Sequence, residues 1–481
     1  MRKARPVMIQ GTMSNVGKSL ICAALCRIFS QDGYRVAPFK SQNMALNSFI
    51  TDEGLEMGRA QVVQAQAAGI KPSVLMNPVL LKPTTDVGSQ VIVKGRAMGN
   101  MSASEYFKFK KQLIPEIMDS YSTLSSENDI IVIEGAGSPA EINLKSDDIV
   151  NMGIARMVNS PVILVGDIDR GGVFAQLYGT VSLLEPEERA LIKATVINKF
   201  RGDVSILAPG LDMLHKLVKV PCAGVVPYLN VDIDDEDSLS DRLSDHLKKE
   251  VDIAVIQLPR ISNFTDFSPF EHFSGVSLRY IRNVKELGTP DMIIIPGTKS
   301  TIADLMWMRQ NGLEAQILKA ASRGTPLFGI CGGLQMLGKS VSDPYCTEGG
   351  GNIAGMGLLD IKTVFEKEKT QTQTEGTFSG IDGMFAGLNG KQYSGYEIHM
   401  GRSSASGALL QKGHIYGSYI HGLFDREGIA LEIVKALYAR KGLSFDADVL
   451  FDPISYQEEQ YDKLADAVRS SLDMKLIYSF L

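Results

Sequence analysis

The chain has 481 residues, 44% hydrophobic and 22% charged, which is too long for one core, since single cores stop growing at roughly 250 to 300 residues. Its net charge of −6, with basic residues interspersed among acids, offers no field for a phosphodiester backbone and argues against a nucleic acid partner. No apolar run approaches the roughly 20 residues needed to span a bilayer, and the start leads into a strand without a secretory h-region, so a cytoplasmic protein with no membrane association is expected. The five cysteines, Cys22, Cys26, Cys222, Cys331 and Cys346, form no CxxC pair, and a special one among them reads as a nucleophile rather than a staple.

The first predicted strand, PVMIQ, runs into Gly11-Thr12-Met13-Ser14-Asn15-Val16-Gly17-Lys18-Ser19 and then the helical pattern LICAALCRIF. A phosphate-binding loop requires this context. Backbone N–H groups from Gly11, Thr12, Asn15, Val16 and Gly17 would face the phosphates, Lys18 would reach the β and γ oxygens, and the Ser19 hydroxyl would sit on Mg²⁺. The loop is one residue longer than GxxxxGK[ST], and a glycine turn before a helix is also a plain structural device.

Strands YRVAPF, DIIVIE, PVILVGD, KATVINKF and PCAGVVP follow, interleaved with helical patterns. They read as βαβ units of a mostly parallel sheet with helices on both faces. Lys40 and Glu134 end two of these strands and so lie at the carboxyl edge, where open α/β sheets bind ligands. Asp52 and Glu134 are candidate Mg²⁺ carboxylates beside Ser19, although Asp52 also reads as a loop acid facing water. Asp147 and Asp148 precede the helical IVNMGIARM, where either capping or chemistry would use them. Asp167, Asp169 and Arg170 combine carboxylates and a guanidinium at another strand end, suited to an anionic substrate. Asn198 and Lys199 could offer an amide to an adenine edge or merely cap a turn.

Residues 231–250, VDIDDEDSLSDRLSDHLKKE, carry few large apolar side chains and mark a linker between a domain at 1–230 and another at 251–446. The second has strands at VDIAVIQL, SLRYIR, DMIIIPG, TPLFGI, GYEIHMG and HIYGSYIHG. TPLFGI leads into Gly329-Ile330-Cys331-Gly332-Gly333 and a helix, a nucleophile elbow with cysteine in place of serine, where the helix N-terminus favours the thiolate. Oxyanion donors would come from the N–H of Gly332 and from the Pro296-Gly297-Thr298 turn. Of six histidines, His421 ends a strand of this domain before a glycine turn and is the favoured base. His399, inside an alternating strand, is its competitor, and none has metal-ligand spacing. Residues 447–481 read as a terminal helical extension.

The segments QGTMSNVGKS, FKSQNMALNSF, NPVLLKPTTDVGSQVIV, IEGAGSPAEINL, DIDRGGVFA, NKFRGD, PGTKST, GICGG, GYEIHMGR and YIHGLFD, in this order along nearly the whole chain, resemble the cobyric acid synthase family. That family is similar to dethiobiotin synthetase in its extended phosphate loop. The resemblance implies an ATP-dependent P-loop domain followed by a class I glutamine amidotransferase-like α/β domain. It also implies amidation of the b, d, e and g carboxylates of the corrinoid adenosylcobyrinic acid a,c-diamide, with ATP, Mg²⁺ and glutamine consumed and Cys331 and His421 as glutaminase nucleophile and base. Class I amidotransferases place a Glu two residues after the His. Leu423 stands there in this chain, leaving the group that orients His421 unassigned. A related amidoligase with another acceptor, such as cobyrinate or a cell-wall precursor, and a non-enzymatic nucleotide switch are the rival readings.

Overall fold

The structure, a computed structural model, describes residues 3–85, 88–233, 248–426, 428–445 and 453–481. Its first body is built from β1 (Arg5–Gly11), α1 (Lys18–Gln31), β2 (Val36–Phe39), α2 (Arg59–Ala67), β3 (Ile130–Glu134), β4 (Val162–Asp167), α3 (Val173–Leu183), β5 (Ile192–Phe200) and β6 (Cys222–Pro227). The six strands form one parallel sheet in the order β6-β5-β4-β1-β3-β2. Apolar side chains on both sheet faces are buried, which is why these strands read as unbroken β-branched runs rather than as alternation.

The second body contains β7 (Val251–Ile256), β8 (Val276–Ile281), β9 (Met292–Ile295), β10 (Leu327–Ile330), α4 (Gly332–Leu337), β11 (Leu410–Lys412) and β12 (Ile415–Ser418). They form a sheet in the order β8-β7-β9-β10-β12-β11, parallel except at β11. The chain is thus two successive α/β domains, each built on a mostly parallel sheet, as the sequence led us to expect.

Two additions join the bodies. Strands Gln42–Met44, Val79–Thr85, Gly88–Val93 and Arg96–Ser102 form a small sheet beside the first body, next to a short hairpin of Ser48–Ile50 with Glu56–Gly58. From the second body, the long strand Lys362–Thr377 pairs antiparallel with Gln392–Ser403 and reaches that hairpin, where Tyr396 Oη and Asn263 Nδ2 both donate to Ser48 O, at 2.8 and 2.9 Å. Within the expected terminal extension, α5 (Pro453–Ser471) returns to the first body and buries Tyr461, Leu464, Ala465 and Val468 against α1. Residues 234–247, most of the expected linker, and 447–452 lie outside the described residues. Among the described residues no helix is long and apolar enough to cross a membrane.

Candidate active sites

The first site lies at the carboxyl edge of the first sheet. Gly17, at φ 94°, begins α1, a left-handed conformation that glycine adopts without strain. The Lys18 ammonium donates to Met13 O at 3.1 Å and Gly137 O at 3.2 Å. The Asn198 amide donates to Val16 O at 2.8 Å, and Lys199 reaches Asn15 O at 2.6 Å and Asp167 at 3.0 Å. Both therefore brace the loop, Asn198 through one of its two amide N–H groups. Thr12 Oγ1 donates to Gln176 of α3 at 3.1 Å.

At the end of β3, Glu134 is fully buried and ringed by donors. Ser19 Oγ and Lys40 Nζ each lie 2.9 Å from Oε1, and Gln61 and Gln64 of α2 donate to Oε2 at 3.3 and 2.5 Å. Burial alone would raise its pKa, but the charge and hydrogen bond of Lys40, the Gln64 hydrogen bond and the Lys18 charge outweigh burial and hold it below the usual carboxylate range. Gln61 and Gln64 were not anticipated from sequence. Their i, i+3 spacing on α2 sets both on one face, a pattern visible only once that face is known to meet Glu134.

The second expected carboxylate does not join this site. Asp52 sits in the turn of the Ser48–Gly58 hairpin, exposed, with its carboxylate 2.8 Å from Lys71; the loop-acid reading holds. Asp148 caps the helix Met152–Met157, accepting from Val150, Asn151 and Gly153 N–H groups at 2.8 to 3.0 Å, so capping is its role. Asp147 pairs with Lys111. Buried Asp167 accepts from Asp169 N at 2.8 Å, and Asp169 pairs with Arg201 at 3.0 Å. Arg170 is exposed at the same edge.

The second site surrounds Cys331, which turns from β10 into α4 with φ 50° and ψ −106°. A non-glycine residue held there is strained by about 1 to 3 kcal/mol, and the strain stands the thiol off the strand end. Small neighbours permit the turn. A Cβ on Gly333 would lie 1.9 Å from Ile295 O, and one on Gly332 3.1 Å from Thr298 N, so the Pro296-Gly297-Thr298 turn closes directly on the elbow. Thr298 Oγ1 donates to Asp304 at 2.5 Å, fixing that turn. Burial pushes the Asp304 carboxyl up to about 6.

His421 lines the cavity together with Cys331, whose thiol donates to Ile398 O at 3.7 Å, and a Cβ on Gly297 would lie 3.0 Å from the His421 Cε1. Its Nδ1 lies 2.6 Å from Oδ2 of Asp266, whose Oδ1 accepts from Gly422 N at 3.0 Å. Burial pulls the imidazole pKa down, but the Asp266 charge and hydrogen bond, with the nearby Cys331 thiol, prevail and push it up to about 10. Asp266 fills the position that Leu423 leaves open. It lies 155 residues from His421 in sequence, and its only local signal is an acid set among the buried phenylalanines of Phe264–His272. His399 lines the same cavity, but its nitrogens face Gly401 O at 2.8 Å and Glu397 at 3.1 Å, and its ring stacks on Tyr419, which is a structural role.

Residues 7–241 match the family described as a CobQ/CobB/MinD/ParA nucleotide binding domain, and residues 252–429 match the CobB/CobQ-like glutamine amidotransferase domain. A phosphate loop on one sheet and a cysteine elbow on the other thus define a ligase that carries its own glutamine amidotransferase. Over its whole length the chain is similar to cobyric acid synthases. It is 63% identical to that of Lachnoclostridium phytofermentans, covering 99% of each chain, and 59% identical to that of Ruminiclostridium cellulolyticum, covering 99% of this chain and 97% of the relative. The relative in Alkaliphilus metalliredigens is 52% identical over 98% of this chain and 99% of its own. The chain belongs to the cobyric acid synthase family.

Proposed function

We propose that this enzyme amidates the b, d, e and g carboxylates of adenosylcobyrinic acid a,c-diamide in the cytoplasm, activating each with ATP and supplying nitrogen from glutamine. The reading is supported above all by a phosphate loop and a Cys–His–Asp triad standing in one chain whose full-length relatives are cobyric acid synthases.

In the first half-reaction a substrate carboxylate attacks the γ-phosphate of ATP in line, giving an acyl phosphate and ADP. The loop from Gly11 to Ser19 cradles the phosphates, Lys18 takes up charge on their oxygens, and Asn198 and Lys199 keep the loop in shape. Lys40 neutralises Glu134, and Arg170, with Asp167 and Asp169 behind it, suits an anionic acceptor. The adjacent Ser19 hydroxyl and Glu134 carboxylate are hard oxygen donors that fit Mg²⁺. Among the described residues no group of three or more His, Cys, Asp or Glu forms a metal shell, so phosphate oxygens and water would complete the ion's coordination. When bound, it would neutralise phosphate charge.

In the second half-reaction the Cys331 thiolate attacks the side-chain amide of glutamine. Backbone N–H groups of Gly332 and the Gly297 turn receive the oxyanion, and His421, held by Asp266, protonates the departing ammonia. Water then hydrolyses the glutamyl thioester, and ammonia displaces phosphate from the acyl phosphate to leave the amide. Mass spectrometry of the corrinoid acid after incubation with enzyme, MgATP and glutamine tests the reading, because each event exchanges OH for NH₂. Stepwise formation of amides on this acceptor is expected; amidation of a cobyrinate or cell-wall acceptor alone would overturn it.

A further inference from the structure

Behind Cys331 the cavity wall is shared between the two domains. Lys299, Glu348 and Lys369 come from the second domain, whereas Lys82 comes from the small sheet of the first. Lys82 and Lys369 converge on one carboxylate, that of Glu56, which is fully buried. Glu56 Oε1 lies 2.9 Å from Lys82 Nζ, and Oε2 lies 2.5 Å from Lys369 Nζ and 3.0 Å from Gln371 Nε2. Lys82 also donates to Ser48 Oγ at 2.9 Å. Such a buried ion cluster is weak evidence for stability, since desolvation costs about as much as the attraction returns. Its position between two reaction sites calls for another role.

On the far side of Glu56, the chain runs through Gly58 into α2, whose Gln61 and Gln64 hold Glu134 beside Ser19. Asn43 extends the line by donating to Gln61 Oε1 at 3.3 Å. Two buried carbonyl oxygens near this line accept no hydrogen bond from the described residues: Gln90 Oε1, whose residue pairs with Lys82 across the strands, and Gln64 Oε1. Buried acceptors of this kind are costly unless a donor visits them.

We propose that Glu56 is a positioning residue that sets Lys82 and Lys369 as the doorway through which ammonia passes from Cys331 to the phosphate-loop domain. Ammonia accepts a hydrogen bond through its lone pair and donates through its N–H groups. Fixed lysine ammonium groups suit the lone pair while repelling ammonium, which has none; the unpartnered glutamine oxygens then take the N–H groups.

The inference rests on the reaction proposed above, and the Glu56→Gln chain tests it with three rates: glutamine hydrolysis, corrinoid amidation with glutamine, and corrinoid amidation with ammonium chloride. We expect the first and third to stay within about twofold of the unaltered enzyme while the second falls by about tenfold or more, the missing nitrogen appearing as free ammonia. An unchanged ratio of amide formed to glutamine hydrolysed overturns the doorway. So does a rise in KM for glutamine at constant ratio, which would assign the lysines to the glutamine carboxylate. If Glu56→Gln fails to fold, Ser48→Ala, which removes a single hydrogen bond to Lys82, must lower the ratio; an unchanged ratio there also overturns the doorway. An unaltered enzyme that amidates no corrinoid with either nitrogen source contradicts the proposed reaction rather than the doorway.

Discussion

At Asp266, a single carboxylate decides what kind of base His421 is. Unaided burial would leave the imidazole neutral, whereas the 2.6 Å contact with Asp266 pushes it up to about 10 and fixes which nitrogen faces the thiol. Asp266→Asn should therefore lower glutaminase turnover by roughly 10⁴-fold, as loss of the orienting acid does in other triads. The alkaline limb of its pH profile should also move from near pH 10 towards lower pH. The same shift carries a stability term: a raised folded pKa stabilises fully below the unfolded value of roughly 6.5 and is lost as pH rises through about 10. Chemical denaturation at pH 6, 8 and 10 should show the gap between unaltered and Asp266→Asn chains closing as pH rises. The proposed Mg²⁺ site separates two other acids. Glu134→Gln should raise the Mg²⁺ concentration needed for turnover by roughly ten- to a hundredfold, whereas Asp52→Ala, which removes only an exposed partner of Lys71, should leave it unchanged. Cys331, His421, Lys18 and Glu134 were legible in the sequence because strand, glycine and reactive side chain are adjacent there. Asp266 was not, because its meaning comes from a contact across the fold. Asp52 was misjudged because the acid belongs to a hairpin turn rather than to the sheet's carboxyl edge.

Elements tell the same story at longer range. Eleven of the twelve strands of the two main sheets surfaced as apolar runs because their side chains are largely buried, the short edge strand β11 being only partly so and passing unseen, and α5 surfaced through its helical spacing. The small sheet of the first body stayed hidden because its outermost strand, Arg96–Ser102, is exposed over most of its length and carries no apolar pattern. The extended phosphate loop leaves no room for a side chain at its last glycine. Gly17 is at φ 94°, and a Cβ there would lie 2.2 Å from the Asn198 amide. Gly17→Ala is expected to cost about 1 to 3 kcal/mol of local strain and to remove nucleotide binding while sparing glutaminase, which calorimetry with nucleotide and a hydrolysis assay would read separately.

As a whole, the two domains of the molecule meet along a buried polar seam. Tyr396 donates to Ser48 of the first domain and stacks on His421 of the second, with ring centroids 5.6 Å apart, so one tyrosine links the hairpin of the first domain to the base of the second. The account requires nitrogen to cross this seam inside the protein. An isotope competition tests that most directly: the corrinoid acid is incubated with enzyme, MgATP and glutamine labelled with ¹⁵N in its side-chain amide, in the presence of excess unlabelled ammonium, and the product amides are weighed by mass spectrometry. The account predicts amides carrying the label; amides carrying mainly the unlabelled nitrogen would contradict it.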